Sequence, residues 1–298
     1  MILDGKKLAD KICCDLTDRV KVLKEQGIIP RLRIITSGDD EASKVYVRNK
    51  VRRAEEIGID ISTQHYDEIT QEDAAAEVAG YVMPLIFQLP TTPKDAIDYI
   101  GLSSIMRPEE DVDGFMHVEN VAALASGMEP ANYPCTPKGV LRLLGEYEIP
   151  LEEKSVCIIG RSNIVGRPLA HMMEQMGATV TLCHSKTPRW VLLEAIDDAD
   201  IVVSAVGDPE LFCPVEPVFN SVCADWWGRD NDWGWNKVFV DVGINRNREG
   251  KLCGDFPQAI LDHAYAYTPV PGGIGPMTVA MLMENVIEYY EGGHDVYS

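Results

Sequence analysis

VCIIGRSNIVGRPLA, residues 156–170, opens as an unbroken apolar block, turns at Gly160, and crosses a polar stretch to Gly166 and an amphipathic segment. The apolar block reads as a strand, SVCIIG (155–160), and RPLAHMMEQMG (167–177) as the helix that follows it. Glycines at such a strand–helix turn let the backbone approach a pyrophosphate, whose charge the helix N-terminus stabilises. Only two glycines are present, six residues apart, so this is not G-x-G-x-x-G. An ordinary strand–turn–helix therefore competes with a phosphate cradle.

Outward from this turn the alternation continues. ATVTLCH (178–184), DIVVSAVG (200–207) and VFVDVGIN (238–245) read as strands, with VLLEAIDDA (191–199) as a helix between the first two. That order predicts a Rossmann-like domain over 148–276. Upstream, Leu8, Ile12, Leu16, Val20 and Leu23 form one helical stripe, stopped by Gly27 and Pro30. RLRIIT (31–36) reads as a buried strand, 41–57 as a helix closed by Gly58, and IDISTQHY as a strand. Thr70 and Asp73 form a capping box before an Ala-rich helix, and PLIFQL (84–89) reads as a central strand. The terminal segment places Val279, Leu282, Met283, Val286 and Tyr290 on one helical face. The fold class is α/β, in two domains: 1–147 with 277–298, and 148–276. A length of 298 residues agrees with two cores.

Composition excludes several roles. With 47 acidic against 27 basic residues the net charge is −20, a surface that repels nucleic acid and anionic membranes. No apolar run reaches the length of a membrane helix, and MILDGKKLADKICC lacks the pattern of a signal peptide. A cytoplasmic protein is expected. The eight cysteines show neither C-x-x-C pairs nor zinc spacing, so they read as reduced apolar residues, with no metal site. Four of the five tryptophans (226, 227, 233, 235) crowd one irregular patch.

Five places can carry chemistry. Ser43, Tyr46 and Lys50 lie at spacings of three and four, on one helical face. A desolvated amine beside a phenol can exchange protons near neutral pH, although a core tyrosine beside an exposed lysine has the same spacing. The S-x-x-Y-x-x-x-K pattern of short-chain dehydrogenases follows their glycine turn; here it precedes it. Gln88 ends an apolar strand, where a buried amide either satisfies the core or orients a ligand. Asp111 and Asp113 sit on a DVDG loop that could equally be a solvated acidic turn. TPVPGGIGP (268–276) is stiff at its prolines and bare at its glycines, suited to a close backbone approach or to a linker. His184-Ser185-Lys186-Thr187 occupies the place where NAD enzymes keep an acid for the ribose 2′-OH. No carboxylate is there, while Ser185, Lys186 and Arg161 can donate to a 2′-phosphate, which favours NADP.

Taken together and in order, SKVYVRNK, FQLP, EEDVDGF, PCTPKG, GRSNIVGRP, CHSKT, DVGIN and TPVPGGIGPMT resemble the bifunctional methylenetetrahydrofolate dehydrogenase/cyclohydrolases, over nearly the whole chain. The resemblance implies NADP-dependent oxidation of 5,10-methylenetetrahydrofolate to the methenyl compound, then hydrolysis to 10-formyltetrahydrofolate. It also implies a homodimer with a folate-binding domain, an NADP domain and a cleft between them. Lys50 matches the catalytic lysine, Tyr46 the tyrosine packed on the folate, Gln88 the glutamine that tunes the lysine, and Asp113 the acid on the pterin's amino edge. Leu89 and Pro271, Gly272, Gly273, Ile274 and Gly275 match the rest of the folate site. Gly160, Arg161, Ser162, Ile164, Ser185, Ala205, Gly207 and Ile244 match NADP contacts.

Three stretches depart from the family pattern: QLPTTP, FMHVEN after DVDG, and the Trp-rich segment 217–236. Two alternatives stay open, a dehydrogenase with weak cyclohydrolase activity and a non-catalytic folate or nucleotide regulator; the second would not require Lys50. The missing acid at 184–187 and the presence of Arg161 give a first prediction. The kcat/KM for NADP exceeds that for NAD by roughly ten- to a hundredfold, the worth of one charge-assisted phosphate contact. Equal values, or a preference for NAD, refute this reading of the turn.

Overall fold

A computed structural model describes residues 1–208, 211–212, 236–247 and 249–293. The chain forms two compact units, one of Ala9–Cys135 with the chain from Thr278 onward, the other of Met1–Leu8 with Thr136–Met277.

In the first unit, helix α1 (Gly5–Glu25) carries the predicted stripe, and Leu8, Ile12, Leu16, Val20 and Leu23 are all buried. Strand β1 (Arg31–Ser37), helix α2 (Glu41–Ile57), strand β2 (Asp60–Tyr66), helix α3 (Gln71–Gly80) and strand β3 (Leu85–Phe87) follow. The three strands form a parallel sheet in the order β2-β1-β3. The continuous run Leu32–Ile35 is buried on both faces, so β1 is central, whereas β2 alternates as an edge strand does. The apolar β3, expected in the centre, lies at the sheet's edge among the described residues. It reads as central because that edge is covered: Leu85 makes a parallel bridge with Asp111, and Phe87 packs with Ile69, Leu102 and Met116. The expected Thr70–Asp73 capping box opens α3, and Gly58 closes α2 at φ 95°. Helices α4 (Tyr99–Leu102) and α5 (Val118–Ala125) complete this part.

The second unit holds helix α6 (Cys135–Glu146), strand β4 (Ser155–Ile159), helix α7 (Gly166–Gln175), strand β5 (Thr179–Cys183), helix α8 (Arg189–Asp198), and strands β6 (Ile201–Ser204) and β7 (Val238–Asp241). A short hairpin of β8 (Asn245–Arg246) and β9 (Leu252–Cys253), helix α9 (Gln258–Leu261) and strand β10 (Ala266–Tyr267) come next. The parallel sheet runs β10-β7-β6-β4-β5. The strand order reverses between β4 and β6, the place where doubly wound sheets open a crevice for nucleotides. VFVDVGIN is split: β7 stops at Asp241, and Asn245 already belongs to the hairpin. The terminal helix α10 (Ile274–Glu291) starts earlier than the predicted face and is buried on most sides, including Ala280, Met281, Ile287 and Tyr289. The Trp-rich patch lies outside the described residues except for Asn236.

One buried ion pair ties the first sheet to α3. The Arg33 guanidinium meets Glu77, their side chains 9% and 7% exposed, and Tyr66 Oη donates to Glu77 at 2.7 Å. Burial alone would raise the Glu77 carboxyl; the hydrogen bonds from Arg33 and Tyr66 more than offset it and hold it below its usual value. Glu77→Ala strands the guanidinium, so it should destabilise the protein by about 3–5 kcal/mol in denaturant unfolding. A loss under ~1 kcal/mol would show that water replaces the partner.

Candidate active site and dinucleotide cradle

Helix α2 puts one reactive side chain on its buried stripe. Asp40 caps the helix by accepting from Ser43 N at 2.7 Å, and Lys50, Ala54 and Ile57 then recur inward. Lys50 is only 7% exposed, so the reading of an exposed lysine beside a core tyrosine fails. Its Nζ stands 4.0 Å from Asp113 Oδ2. Tyr46, one turn earlier, is half-buried, and burial pushes its phenol up. Ser43 Oγ donates to Leu89 O at 3.3 Å, so the Ser-Tyr-Lys face reaches the end of β3.

Gln88 sits just past β3, its backbone N–H paired with Ile35 O at 2.8 Å. Its Nε2 donates to Leu89 O at 2.9 Å, and its buried Oε1 has no hydrogen-bond partner. An unpaired buried acceptor costs free energy unless a ligand satisfies it.

The two acids of the DVDG loop divide their duties. Asp111 is fully buried and accepts from Gly114 N (3.0 Å), Met116 N (2.8 Å), His117 N (2.8 Å) and Asn120 Nδ2 (3.3 Å). Burial raises its carboxyl to about 6 against those donors. Its lone pairs are occupied by its own loop, while Asp113 extends toward Lys50. The departure FMHVEN is part of this knot: His117 caps α5 by accepting from Glu119 N, and Asn120 Nδ2 also donates to Pro108 O. QLPTTP is likewise anchored, with Thr92 N donating to Ser37 Oγ at 2.8 Å and Ile69 N to Thr92 O.

In the other unit, Gly160 ends β4 and Gly166 begins α7. A Cβ on Gly166 would lie 1.9 Å from Gly160 O, and one on Gly160 would lie 2.6 Å from Ala205 O. These glycines are required by backbone contact, in the crevice between β4 and β6. Gly207 turns there at φ 69°. Ser162 Oγ accepts from Val165 N at 3.1 Å, tightening the entry to α7, where Ile164 is half-buried. Arg161, Ser185 and Lys186 are exposed at the carboxyl ends of β4 and β5. A loop that lets backbone pack this closely, with N–H groups at a helix start and cations beside it, fits a dinucleotide phosphate.

The PVPGGIG segment has a double use. Gly273 is buried, and a Cβ there would meet Pro269 O at 2.7 Å; Gly5 packs on Gly273 O in the same way, and Lys6 N donates to Gly272 O. Part of its glycine content therefore serves packing. A Cβ on Gly275 would touch Ile244 Cδ1 at 3.5 Å, which brings a predicted substrate residue next to a predicted cofactor residue. Pro271 is exposed, and Ile274 is the first residue of α10.

Sequence reasoning missed Asp255. It is 1% exposed and accepts from Ser204 Oγ (2.7 Å), Gly207 N (3.2 Å), Asp208 N (2.9 Å) and Asn245 Nδ2 (2.8 Å), so it fixes the turn that carries Gly207. In the sequence it stands in a GDFP turn that reads as surface. Close by, Asp241 is raised to about 7 by burial, and a cavity of about 320 Å³ is lined by Asp241, Gly254, Asp255, Phe256, Tyr267 and Val270.

A five-stranded parallel sheet with a glycine cradle at its switch point, together with a unit holding a buried lysine–carboxylate pair, defines a two-domain nucleotide-dependent α/β enzyme. Comparison with known proteins narrows the class. Residues 3–113 match the tetrahydrofolate dehydrogenase/cyclohydrolase catalytic domain, and 134–222 with 230–293 match the NAD(P)-binding domain of the same family. The chain is 40% identical over 297 residues to the bifunctional protein FolD of Ligilactobacillus salivarius, covering 97% of this chain and 96% of that protein. It resembles the crystal structure of the bifunctional FolD dehydrogenase/cyclohydrolase from Campylobacter jejuni, with a TM-score of 0.85, 37% identity and coverage of 98% and 99%. The Trypanosoma brucei dehydrogenase–cyclohydrolase, solved with NADP and an inhibitor, gives a TM-score of 0.85 at 30% identity, covering 99% of each chain. This chain belongs to the tetrahydrofolate dehydrogenase/cyclohydrolase family.

The two loop acids give opposite expectations. Asp111→Ala leaves the buried N–H groups of Met116 and His117 without an acceptor and should cost about 2–5 kcal/mol of stability, whereas Asp113→Asn, outside the knot and keeping the side chain's shape and an acceptor oxygen for Lys50, should cost clearly less, about 1 kcal/mol. Parallel urea titrations separate them; equal losses would mean that Asp113 also holds the loop.

Proposed function

We propose that Lys50, Tyr46, Gln88 and Asp113 form the folate-reacting centre, supported chiefly by the buried Lys50–Asp113 pair and by the unpartnered Gln88 Oε1 at the end of β3. The chain is a bifunctional enzyme of one-carbon folate metabolism. It oxidises 5,10-methylenetetrahydrofolate with NADP to 5,10-methenyltetrahydrofolate, then hydrolyses that cation to 10-formyltetrahydrofolate.

NADP, when bound, accepts the hydride. Gly160, Gly166, Ala205 and Gly207 would hold its phosphates, with Arg161 and Ser185 on the 2′-phosphate and Ser162, Ile164 and Ile244 along the rest. In the first step the lone pair of a folate nitrogen pushes hydride out of the bridging methylene, so the protein needs to orient the ring rather than supply a strong base. Asp113 would grip the pterin's donors, and Tyr46 would stack on the ring with Leu89 beside it. In the second step water adds to the methenyl carbon and loses a proton. The adduct then opens: its hydroxyl gives up its proton as the formyl carbonyl forms, the carbon–nitrogen bond breaks and that nitrogen takes up a proton, so that one proton is released overall. Lys50 is placed to accept and return that proton, with Gln88 setting its orientation.

The functional division follows 1–147 with 277–298 for folate and 148–276 for NADP. We further propose that the enzyme works in the cytoplasm as a homodimer, the assembly that the family resemblance implies.

Lys50→Met keeps the stem and removes the amine. It should lower cyclohydrolase activity at least a hundredfold, a typical worth of general acid–base catalysis, and lower dehydrogenase activity far less. Methenyltetrahydrofolate then accumulates, visible by absorbance after correction for spontaneous hydrolysis. Hydrolysis at the wild-type rate would make Lys50 structural.

A further inference from the structure

Three segments of the second unit meet on one carboxylate. Asp255, in the turn after β9, is 1% exposed. Its Oδ2 accepts from Ser204 Oγ at 2.7 Å, Gly207 N at 3.2 Å and Val206 N at 3.3 Å, at the end of β6 and in the turn that follows it. Its Oδ1 accepts from Asp208 N at 2.9 Å and from Asn245 Nδ2 at 2.8 Å, and Asn245 opens the hairpin past β7. Every partner donates. An amide in this place would turn an NH2 group toward N–H groups, so a carboxylate is what suits it. Gly243 leaves the room, since a Cβ there would lie 2.3 Å from Oδ1.

Strands β6 and β7 are neighbours in the parallel sheet, with Ser204 paired to Asp241, so the turns that follow them lie side by side at the carboxyl end. One turn carries Gly207 and the other Ile244. Backbone pairing carries on to Val242 N, which donates to Ser204 O at 2.8 Å; past that point Asp255 and Asn245 link the two turns through their side chains. The Asn245 amide lies beside Gly207, where a Cβ would have Asn245 Oδ1 as its neighbour at 3.8 Å. Val206 and Ile244, one on each turn, are exposed apolar side chains on backbone that is tied down beside them. The N–H groups of Gly207 and Asp208 are spent on Asp255. This part of the crevice therefore meets a ligand by shape and apolar surface rather than by donors, and shape is what the tie controls.

We propose that Asp255 is a positioning residue for NADP: through Asn245 it ties the turn after β6 to the turn after β7 and sets the spacing between Gly207 and Ile244 before the cofactor arrives. This rests on the assignment of both turns to NADP and adds the residue that holds them. The two reactions depend on it unequally. The dehydrogenase step consumes NADP, whereas hydrolysis of the methenyl compound uses none, so a loosened cofactor turn spares the second reaction. A residue that merely kept the protein folded would affect both.

Asn245→Ala cuts the tie and leaves Asp255 its four bonds to the β6 side. By calorimetry the variant should bind NADP roughly three- to tenfold more weakly, as when the binding-competent turn falls to between about a third and a tenth of the population. The KM for NADP should rise with it. Both kcat at saturating NADP and the hydrolysis of added methenyltetrahydrofolate, assayed without cofactor, should stay within about twofold of wild type. Asp255→Asn, which sets an NH2 group against its donors, should weaken NADP binding further than Asn245→Ala does. An unchanged Kd for NADP in Asn245→Ala overturns the proposal, as does a parallel fall of both activities with the thermal midpoint, or an effect of Asp255→Asn no larger than that of Asn245→Ala. Where either variant does not fold, Ser204→Ala removes one donor from the same carboxylate and is judged by the same Kd and hydrolysis measurements. If wild type itself neither binds NADP nor reduces it with 5,10-methylenetetrahydrofolate, the assignment of these turns to NADP fails first, and that control separates the two failures.

Discussion

Four donors converging on the buried carboxylate of Asp111 hold the first unit's chemistry in place. The loop from Arg107 to Asn120 is short of regular structure, and without this acceptor the backbone N–H groups of Met116 and His117 would be buried unpaired. The knot also docks the loop on the sheet, through the bridge between Asp111 and Leu85. Asp113 reaches Lys50 because Asp111 does not move. Gln88, one residue past β3, inherits its position from the same edge. Gly114 belongs to this constraint too, since at φ 77° a Cβ there would strike the Tyr133 backbone at 2.6 Å.

The second unit solves a similar problem with the same device. Its cofactor turns are irregular, and Asp255 gathers the N–H groups of Gly207 and Asp208 together with Ser204 and Asn245. A Cβ on Gly243 would lie 2.3 Å from Asp255 Oδ1, and one on Gly254 would lie 1.9 Å from Asp241 Oδ2. Each acid is seated on a glycine, which explains why the DVGIN and CGDF segments tolerate no bulk. In both units a buried carboxylate organises a loop, and the residues suited to ligand lie beside it.

Periodicity and punctuation made most of the architecture legible. The four-residue stripe of α1, the Gly58 cap and the Thr70 capping box are local signals, and the structure carries each of them. What failed depends on tertiary context. The run LIF looks the same at a covered edge as at a sheet's centre, so β3 was misplaced. The terminal helix has polar positions that are nonetheless buried, such as Asn285, whose Nδ2 donates to Val112 O at 2.9 Å and Tyr133 O at 3.1 Å. Lys50 was legible as a candidate because of its spacing with Tyr46. Asp255 was not, because an acid in a GDFP turn carries no periodic or motif signal. Only long-range packing shows it to be saturated.

The chain's net charge of −20 sets the terms on which it binds an anionic cofactor. At physiological ionic strength the Debye length is about 8 Å, so exposed acids more than a turn or two away are largely screened. What a phosphate meets is the local arrangement: the helix start at Gly166, the backbone freed by Gly160 and Gly207, and exposed Arg161 and Lys186. The acidic remainder discourages long anionic polymers, which must lie across many charges at once, while leaving a compact phosphate bound by one basic turn nearly unaffected. The affinity for a small dinucleotide thus follows from the local turn rather than from the net charge, because the phosphate is within a Debye length of the glycine cradle and its cations and beyond one of most of the acids.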